Sequence, residues 1–119
     1  MKMMIIVRKD LNMRKGKMIA QGAHAVAEQI MKGMSHPKSQ AALTSWWLDH
    51  GQKKVAVSVD SEAELLEIYQ KAISKGINSS LIIDSGKTEF GGVATRTAVA
   101  IGPAEESVLD EITGHLKLL

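Results

Sequence analysis

Residues 3–33, MMIIVRKDLNMRKGKMIAQGAHAVAEQIMKG, change period partway along. MMIIVR is a short apolar run closed by charge, which predicts a buried strand. KDLNMRK is polar and turn-like, and from Gly16 to about Gly33 the spacing becomes helical. Helical residues advance by about 100° each. Ile19, Ala23, Val26 and Ile30 therefore fall on one stripe, and Lys17, Gln21, His24 and Glu28 on the opposite one. The apolar stripe is expected to pack on a sheet, and the polar stripe to face solvent or a cleft. Ala20, Ala25 and Ala27 flank the polar stripe and leave room for a bulky ligand. An ordinary wet helix face is the competing reading, since alanine is also the best helix former.

Working outward, MSHP ends the helix, because Pro37 disfavours helix at the residue before it. PKSQAALTSWWLDH reads as a second helix with Pro37 near its first turn, ending at Gly51. KVAVSV alternates and is β-branched, so it predicts a strand. Ser61 and Glu64 form a capping box for a helix that buries Leu65, Ile68, Tyr69, Ala72 and Ile73 and stops at Gly76. SSLIID is a strand ending at Asp84, SGKTEFGGVA a loop, and TRTAVAIG a last strand. PAEESVLDEITGHL reads as a last helix, with Pro103 at its start and His115 and Lys117 near its end. The order β-α-α-β-α-β-β-α predicts an α/β fold: a single domain over residues 1–119, with a mixed, roughly four-stranded sheet and helices on both faces. The last two strands, joined without a helix, are expected to be antiparallel.

The composition suits one packed domain, with 45% hydrophobic and 24% charged residues in 119. One Phe, one Tyr and two Trp leave the core to aliphatics and methionine. The absence of cysteine excludes disulfides, thiolate nucleophiles and thiolate metal sites, and is compatible with a reducing cytoplasm. No apolar run approaches the roughly 20 residues of a membrane span. Before Ile19 the chain is basic: Lys2, Arg8, Lys9, Arg14, Lys15 and Lys17 stand against Asp10 alone, while the rest is net acidic. Such a cluster suits a polyanionic partner or is simply a solvated basic loop.

Asp84 is a second candidate, because ligands gather outside the carboxyl ends of strands in open α/β sheets. An Asp before Ser-Gly also starts turns by bonding its own backbone. Lys87 and Thr88 in the same loop have the chemistry to hold phosphate, though loop polarity explains them equally. Thr95 and Thr97 share one face of the last strand and Arg96 the other. Of Trp46 and Trp47, one is expected in the core with its neighbour partly exposed. There is no Walker loop, no G-x-G-x-x-G and no G-x-S-x-G, and His24, His36, His50 and His115 lack metal-ligand spacing.

Three ordered blocks resemble one family, the type 2 peptidyl-tRNA hydrolases of archaea and eukaryotes. VRKDLNMRKGKMIAQGAHA resembles the family's V-R-x-D-L-x-M-x-K-G-K-x-A-A-Q-x-x-H-A, and IIDSGKTEF its D-A-G-[RL]-T-[EQ] loop. TRTAVAIGPAEESVLDEITGHLKLL resembles its final strand, helix and G-H-L-K-L end. The resemblance implies hydrolysis of the ester that joins a peptide, or an N-blocked amino acid, to the terminal ribose of tRNA, without metal or cofactor. The substrate is then peptidyl-tRNA, held by its acceptor end, with no membrane and with a homodimer suggested by the family. By position, functional residues fall on Lys17, Gln21, His24, Asp84, Thr88 and Thr97, with Lys87 where Arg or Leu is usual. Lys17, His24 and Asp84 are expected to be catalytic: Lys17 on the oxyanion or a phosphate, Asp84 orienting Lys17 or taking a proton, His24 as base or leaving-group acid. Gln21, Thr88, Thr97 and Lys87 are expected to hold substrate, and Arg8, Lys9, Arg14 and Lys15 to meet tRNA phosphates. The competing readings are an inactive tRNA- or protein-binding module of the same fold, and an unrelated nucleotide-binding domain using the 84–88 loop.

Overall fold

The computed structural model describes residues 1–35, 38–87 and 89–119, excluding the side chains of Lys38 and Ser39. The elements run β1 (Lys2–Arg8), α1 (Lys15–Ser35), α2 (Lys38–Asp49), β2 (Lys54–Val59), α3 (Glu62–Ser74), β3 (Ser79–Asp84), β4 (Thr95–Ala104), α4 (Glu106–Thr113) and β5 (Lys117–Leu118). They build one mixed sheet in the order β3-β4-β1-β2-β5. The helix-bearing crossover between β1 and β2 makes that pair parallel, whereas β1–β4, β3–β4 and β2–β5 are antiparallel.

Strand alternation supplies two cores, one on each face. Met4, Ile6, Val57, Val59, Val99 and Ile101 pack with Leu65, Ile68 and Ala72 of α3 and with Leu109 and Ile112 of α4. On the other face Met3, Val7, Ala98 and Ala100 pack with Ala25 of α1 and Trp47 of α2. Alanines in the middle of β4 let α1 approach the sheet closely. Trp47 is buried and donates its indole N–H to the Lys53 carbonyl, while Trp46 is 47% exposed and stacks on His50. The two tryptophans therefore divide as their sequence position suggests.

The expected α/β fold with a mixed sheet and helices on both faces stands, and its details are refined or corrected. The sheet has five strands, because the chain end Lys117–Leu118 pairs with Val57 and Ser58. Pro103, after a cis peptide bond, lies in β4, and α4 begins only at Glu106 and ends at Thr113, so Lys117 belongs to β5 rather than to a helix end. Ile73 is exposed, since α3 buries a seam of Leu65, Ile68 and Ala72. The Ser61 hydroxyl does accept from the Glu64 N–H, as a capping box requires, but Glu64 returns to the Asp60 N–H. Pro37 lies outside the described residues.

A further correction concerns α1. Ile19 is 73% exposed, Ala23 is exposed, and Val26 and Ile30 are half-buried. The buried seam is Gln21, Ala25, Gln29 and Gly33, spaced one turn apart. Gln29 explains the choice: its amide donates to the carbonyls of Asn78 and Gly102, and its carbonyl accepts from Ser80 at 2.6 Å. Main-chain and hydroxyl groups under α1 need polar partners, and glutamine reaches them where leucine would leave them unpaired.

At Gly33 α1 meets α2. A Cβ built there would stand 2.5 Å from Oγ1 of Thr44, a fully buried residue bonded to the Gln40 carbonyl. Gly33→Ala gains helix propensity of about 1 kcal/mol yet is expected to destabilise by roughly 1–2 kcal/mol net through the clash. Urea unfolding measures this, and a stabilised Gly33→Ala would mean that the contact is looser than described.

Candidate active site

The carboxyl ends of β1 and β3 and the first turns of α1 share one edge of the molecule. There α1 sets Lys17 and Gln21 one turn apart, and Asp84 closes β3. Lys17 Nζ lies 2.8 Å from Asp84 Oδ1, with both side chains mostly buried (14% and 13% exposed). Gln21 Nε2 donates to the same oxygen at 3.3 Å. The other carboxylate oxygen, Oδ2, accepts the Gly86 N–H at 2.8 Å. Asp84 thus acts both as the turn-starting residue and as a charged partner of α1. The bond from Lys17 chiefly, with those from Gly86 and Gln21, outweighs burial and holds the Asp84 carboxyl below its usual range.

Thr97 reaches this cluster through an irregularity. The β3–β4 register pairs Ile82 with Ala98 but Ile83 with Arg96, so β4 carries Thr97 as an extra residue. A bulge lets two successive residues face one side. Thr97 and Ala98 are both fully buried, while Arg96 points away and pairs with Glu62. The Thr97 hydroxyl donates to Gln21 Oε1 at 2.5 Å. Gln21, 2% exposed, is therefore bonded at both ends of its amide, to Thr97 and Asp84. Gln21 lies inside the protein and not on a wet face.

The loop after Asp84 is folded back on itself. Gly86 has φ +80°, and a Cβ there would lie 2.1 Å from the Val93 carbonyl oxygen, so only glycine fits. The loop brings Phe90 to 5.7 Å from Lys17 Nζ, a cation–π contact at its outer limit. Phe90 is a neighbour of Lys17 that sequence reasoning missed, whereas the Asp84–Gly86 bond is the backbone turn expected of Asp before Ser-Gly. The Asp-Ser-Gly turn signal announces the amide, and no spacing rule announces the aromatic. Lys87 is exposed on this loop, and Thr88 lies outside the described residues.

His24, exposed one turn beyond Gln21, lines a groove of about 680 Å³. One wall is α1 from Gln21 to Met31; the other is β3 from Leu81 to Asp84, followed by Ser85. Among the described residues, no three His, Asp or Glu side chains group as a metal site would require.

The basic segment divides. Arg8 is bonded through Nε and Nη2 to the two Asp10 carboxylate oxygens at 3.1 and 2.7 Å, and Nη1 donates to the Arg96 carbonyl. Each ion favours the charged form of the other: the Arg8 pKa is raised and that of Asp10 lowered. Lys9, Arg14 and Lys15 are exposed, and no ion pair to them occurs among the described residues. Lys15 opens α1 two residues before Lys17, Arg14 precedes it, and Lys9 follows β1.

The sequence matches the family model "Peptidyl-tRNA hydrolase PTH2" over residues 1–119. It is 50% identical over 119 residues to a peptidyl-tRNA hydrolase of Methanocaldococcus jannaschii, covering 100% of both chains. It is 42% identical to a peptidyl-tRNA hydrolase of Sulfolobus acidocaldarius, again covering 100% of both. A peptidyl-tRNA hydrolase of Aeropyrum pernix is 44% identical, with 98% of this chain and 94% of that one covered. With the whole chain matched and identities of this size, the protein belongs to the peptidyl-tRNA hydrolase PTH2 family.

Proposed function

We propose that the chain hydrolyses the ester between a peptide and the terminal ribose of tRNA with Lys17 as its fixed positive charge and Asp84 as the group that positions it. Peptidyl-tRNA hydrolysis is the activity of the family. The assignment of roles to residues rests on one observation, the Lys17–Asp84 pair locked by Gln21 and Thr97 at the head of a groove.

In this mechanism a water attacks the ester carbonyl, and the C–O bond to the ribose breaks from the tetrahedral intermediate. Lys17 stabilises the oxyanion. Asp84, kept ionised by its partners, is a weak base and orients the ammonium instead. His24 on the groove wall takes the proton from water and returns it to the departing ribose oxygen. Gln21 and Thr97, buried and bonded to one another, act by holding Asp84 rather than by touching substrate. Lys87 and Thr88 are left to contact the tRNA end. The nucleotide-binding reading loses support, because the Gly86 N–H of its loop is already bonded to Asp84. No observation favours the inactive module.

Lys17→Met and Asp84→Asn are each expected to lower kcat/KM on N-acetylaminoacyl-tRNA by about 10²–10³-fold, the scale for losing one preorganised oxyanion contact. The assay is run in chelator, and a near-normal rate in either variant would remove that residue from the site. His24→Ala with near-normal rate through pH 5–8 would likewise remove the base assigned to His24. Asp84 titrates below its unfolded value, so the stability that it contributes is complete above about pH 4 and is lost as pH falls through the folded value. Asp84→Asn should therefore narrow its stability gap to the parent only in that acid window, as read by thermal unfolding.

Lys9, Arg14 and Lys15 are proposed to meet tRNA phosphates, with Arg8 bracing the turn beneath them. Replacing the three by alanine should reduce the slope of log KM against log salt by about 2–3, near one per phosphate contact. An unchanged slope would show that tRNA lies elsewhere. A cytoplasmic site of action is proposed because the substrate is a product of translation. Among the described residues no helix is long and apolar enough to cross a membrane.

We also propose a homodimer through the outer stripe of α1. Ile19, Ala23, Val26 and Ile30 line an apolar depression beside Ile5, and solvent is a poor partner for it. Light scattering should give a dimer for the parent and a monomer for Ile19→Glu; a monomeric parent at tens of micromolar would end this reading.

A further inference from the structure

We infer that the groove between α1 and the open edge of β3 receives the peptide part of the substrate as an added strand, parallel to β3. The inference rests on the proposed hydrolase reading and extends it to the non-reacting part of the substrate. β3 is an edge strand, packed chiefly by β4, α1 and α3. The Asn78 carbonyl accepts from the Gly102 N–H of the β4 segment. Alternation then turns Ser80 and Ile82 toward β4, and aims the main-chain groups of Ser79, Leu81 and Ile83 outward. The Ser79 carbonyl is taken by the Lys32 ammonium, which blocks that end. At Leu81 and Ile83 no hydrogen bond crosses the open edge among the described residues. An unpaired pair of donors and acceptors beside a groove is the geometry of strand addition.

The site sets both direction and register. The ester must lie at Asp84 and Lys17, at the carboxyl end of β3 and the head of the groove. The peptide ends at that ester, so it approaches with its carboxyl end toward Asp84 and runs parallel to β3. At about 3.3 Å per residue, its third residue from the ester lies opposite Ile82. That residue's N–H meets the Leu81 carbonyl, and its carbonyl meets the Ile83 N–H. Main-chain pairing carries no side-chain information, so it would serve peptides of differing sequence. On the opposite wall Ala27 and Met31 offer apolar contact, beside Glu28 and His24.

The test compares N-acetylaminoacyl-tRNA with an N-acetyltripeptidyl-tRNA ending in the same residue. The expected kcat/KM ratio in favour of the tripeptide is about tenfold, which one or two net hydrogen bonds supply. Methylating the nitrogen of the third residue from the ester should return the parent enzyme to the short substrate's level. Ile83→Pro removes an outward N–H without touching the β4 ladder, a replacement edge strands tolerate, and should collapse the same ratio. A ratio near one with both substrates hydrolysed overturns the groove assignment and leaves the hydrolase reading standing. A methylated substrate that keeps its advantage overturns it as well, even if Ile83→Pro fails to fold. Hydrolysis of neither substrate ends both readings together.

Discussion

The docking of α1 on the sheet depends on two buried side-chain amides. Gln29 bonds Asn78, Gly102 and Ser80 at one end of the seam, and Gln21 bonds Thr97 and Asp84 at the other. An apolar seam would allow α1 to slide or roll at small cost, since hydrophobic contact is non-directional. Amides aimed at particular carbonyls and hydroxyls do not, because any shift leaves buried polar groups unpaired. Among the described residues no buried side-chain nitrogen or oxygen lacks a partner. The register of α1 decides where Lys17 meets Asp84, so the polar seam sets the geometry of the candidate site two turns away from Gln29.

The bulge at Thr97 belongs to the same device. With strict alternation in β4, Ala98 facing α1 would turn Thr97 to the opposite face, and Gln21 would have no hydroxyl to accept from. The extra residue keeps Ala98 and Ala100 under α1 and adds Thr97 to that face, while Arg96 is released to Glu62. One inserted residue thereby carries a core strand into a site strand.

Much of this was legible in the residues. Strand runs, caps and turn residues announced the α/β order, and the Lys17–Gln21–His24 spacing with Asp84 at a strand end pointed to one edge of the sheet. The errors have a shared cause. Periodicity assigns the buried face to the most apolar stripe, which fails where the surface beneath offers carbonyls and a threonine; Gln21, Gln29 and exposed Ile19 are that failure. Lys117–Leu118 is a strand only because β2 lies beside it, and a two-residue pairing over that sequence distance leaves no local pattern. Pro103 reads as a helix start by position, yet it serves the end of β4. Phe90 near Lys17 depends on how a whole loop folds, and the Gly86–Val93 contact that folds it joins residues seven apart.

The ion pair itself is poor value as a source of stability. Desolvating an ammonium and a carboxylate to this degree offsets most of their attraction, and two apolar residues of similar size would hold α1 on β3 as well. In the proposed reaction the pair supplies a charge whose position is set before substrate arrives. Lys17 is aimed by a carboxylate, the carboxylate by an amide and a backbone N–H, and the amide by a threonine deep in the sheet. Each link is more buried or more rigid than the one before it, which is how an electrostatic site avoids reorganising during reaction. The same partners make Asp84 a weak base, because the bonds from Lys17, Gly86 and Gln21 favour the ionised form and outweigh the opposing effect of burial. In the proposed mechanism proton movement is therefore given to a group outside the network, and His24 is an exposed imidazole on the groove wall. The proposal thus divides the work by burial, with fixed charge assigned to the mostly buried pair and proton exchange to the exposed imidazole.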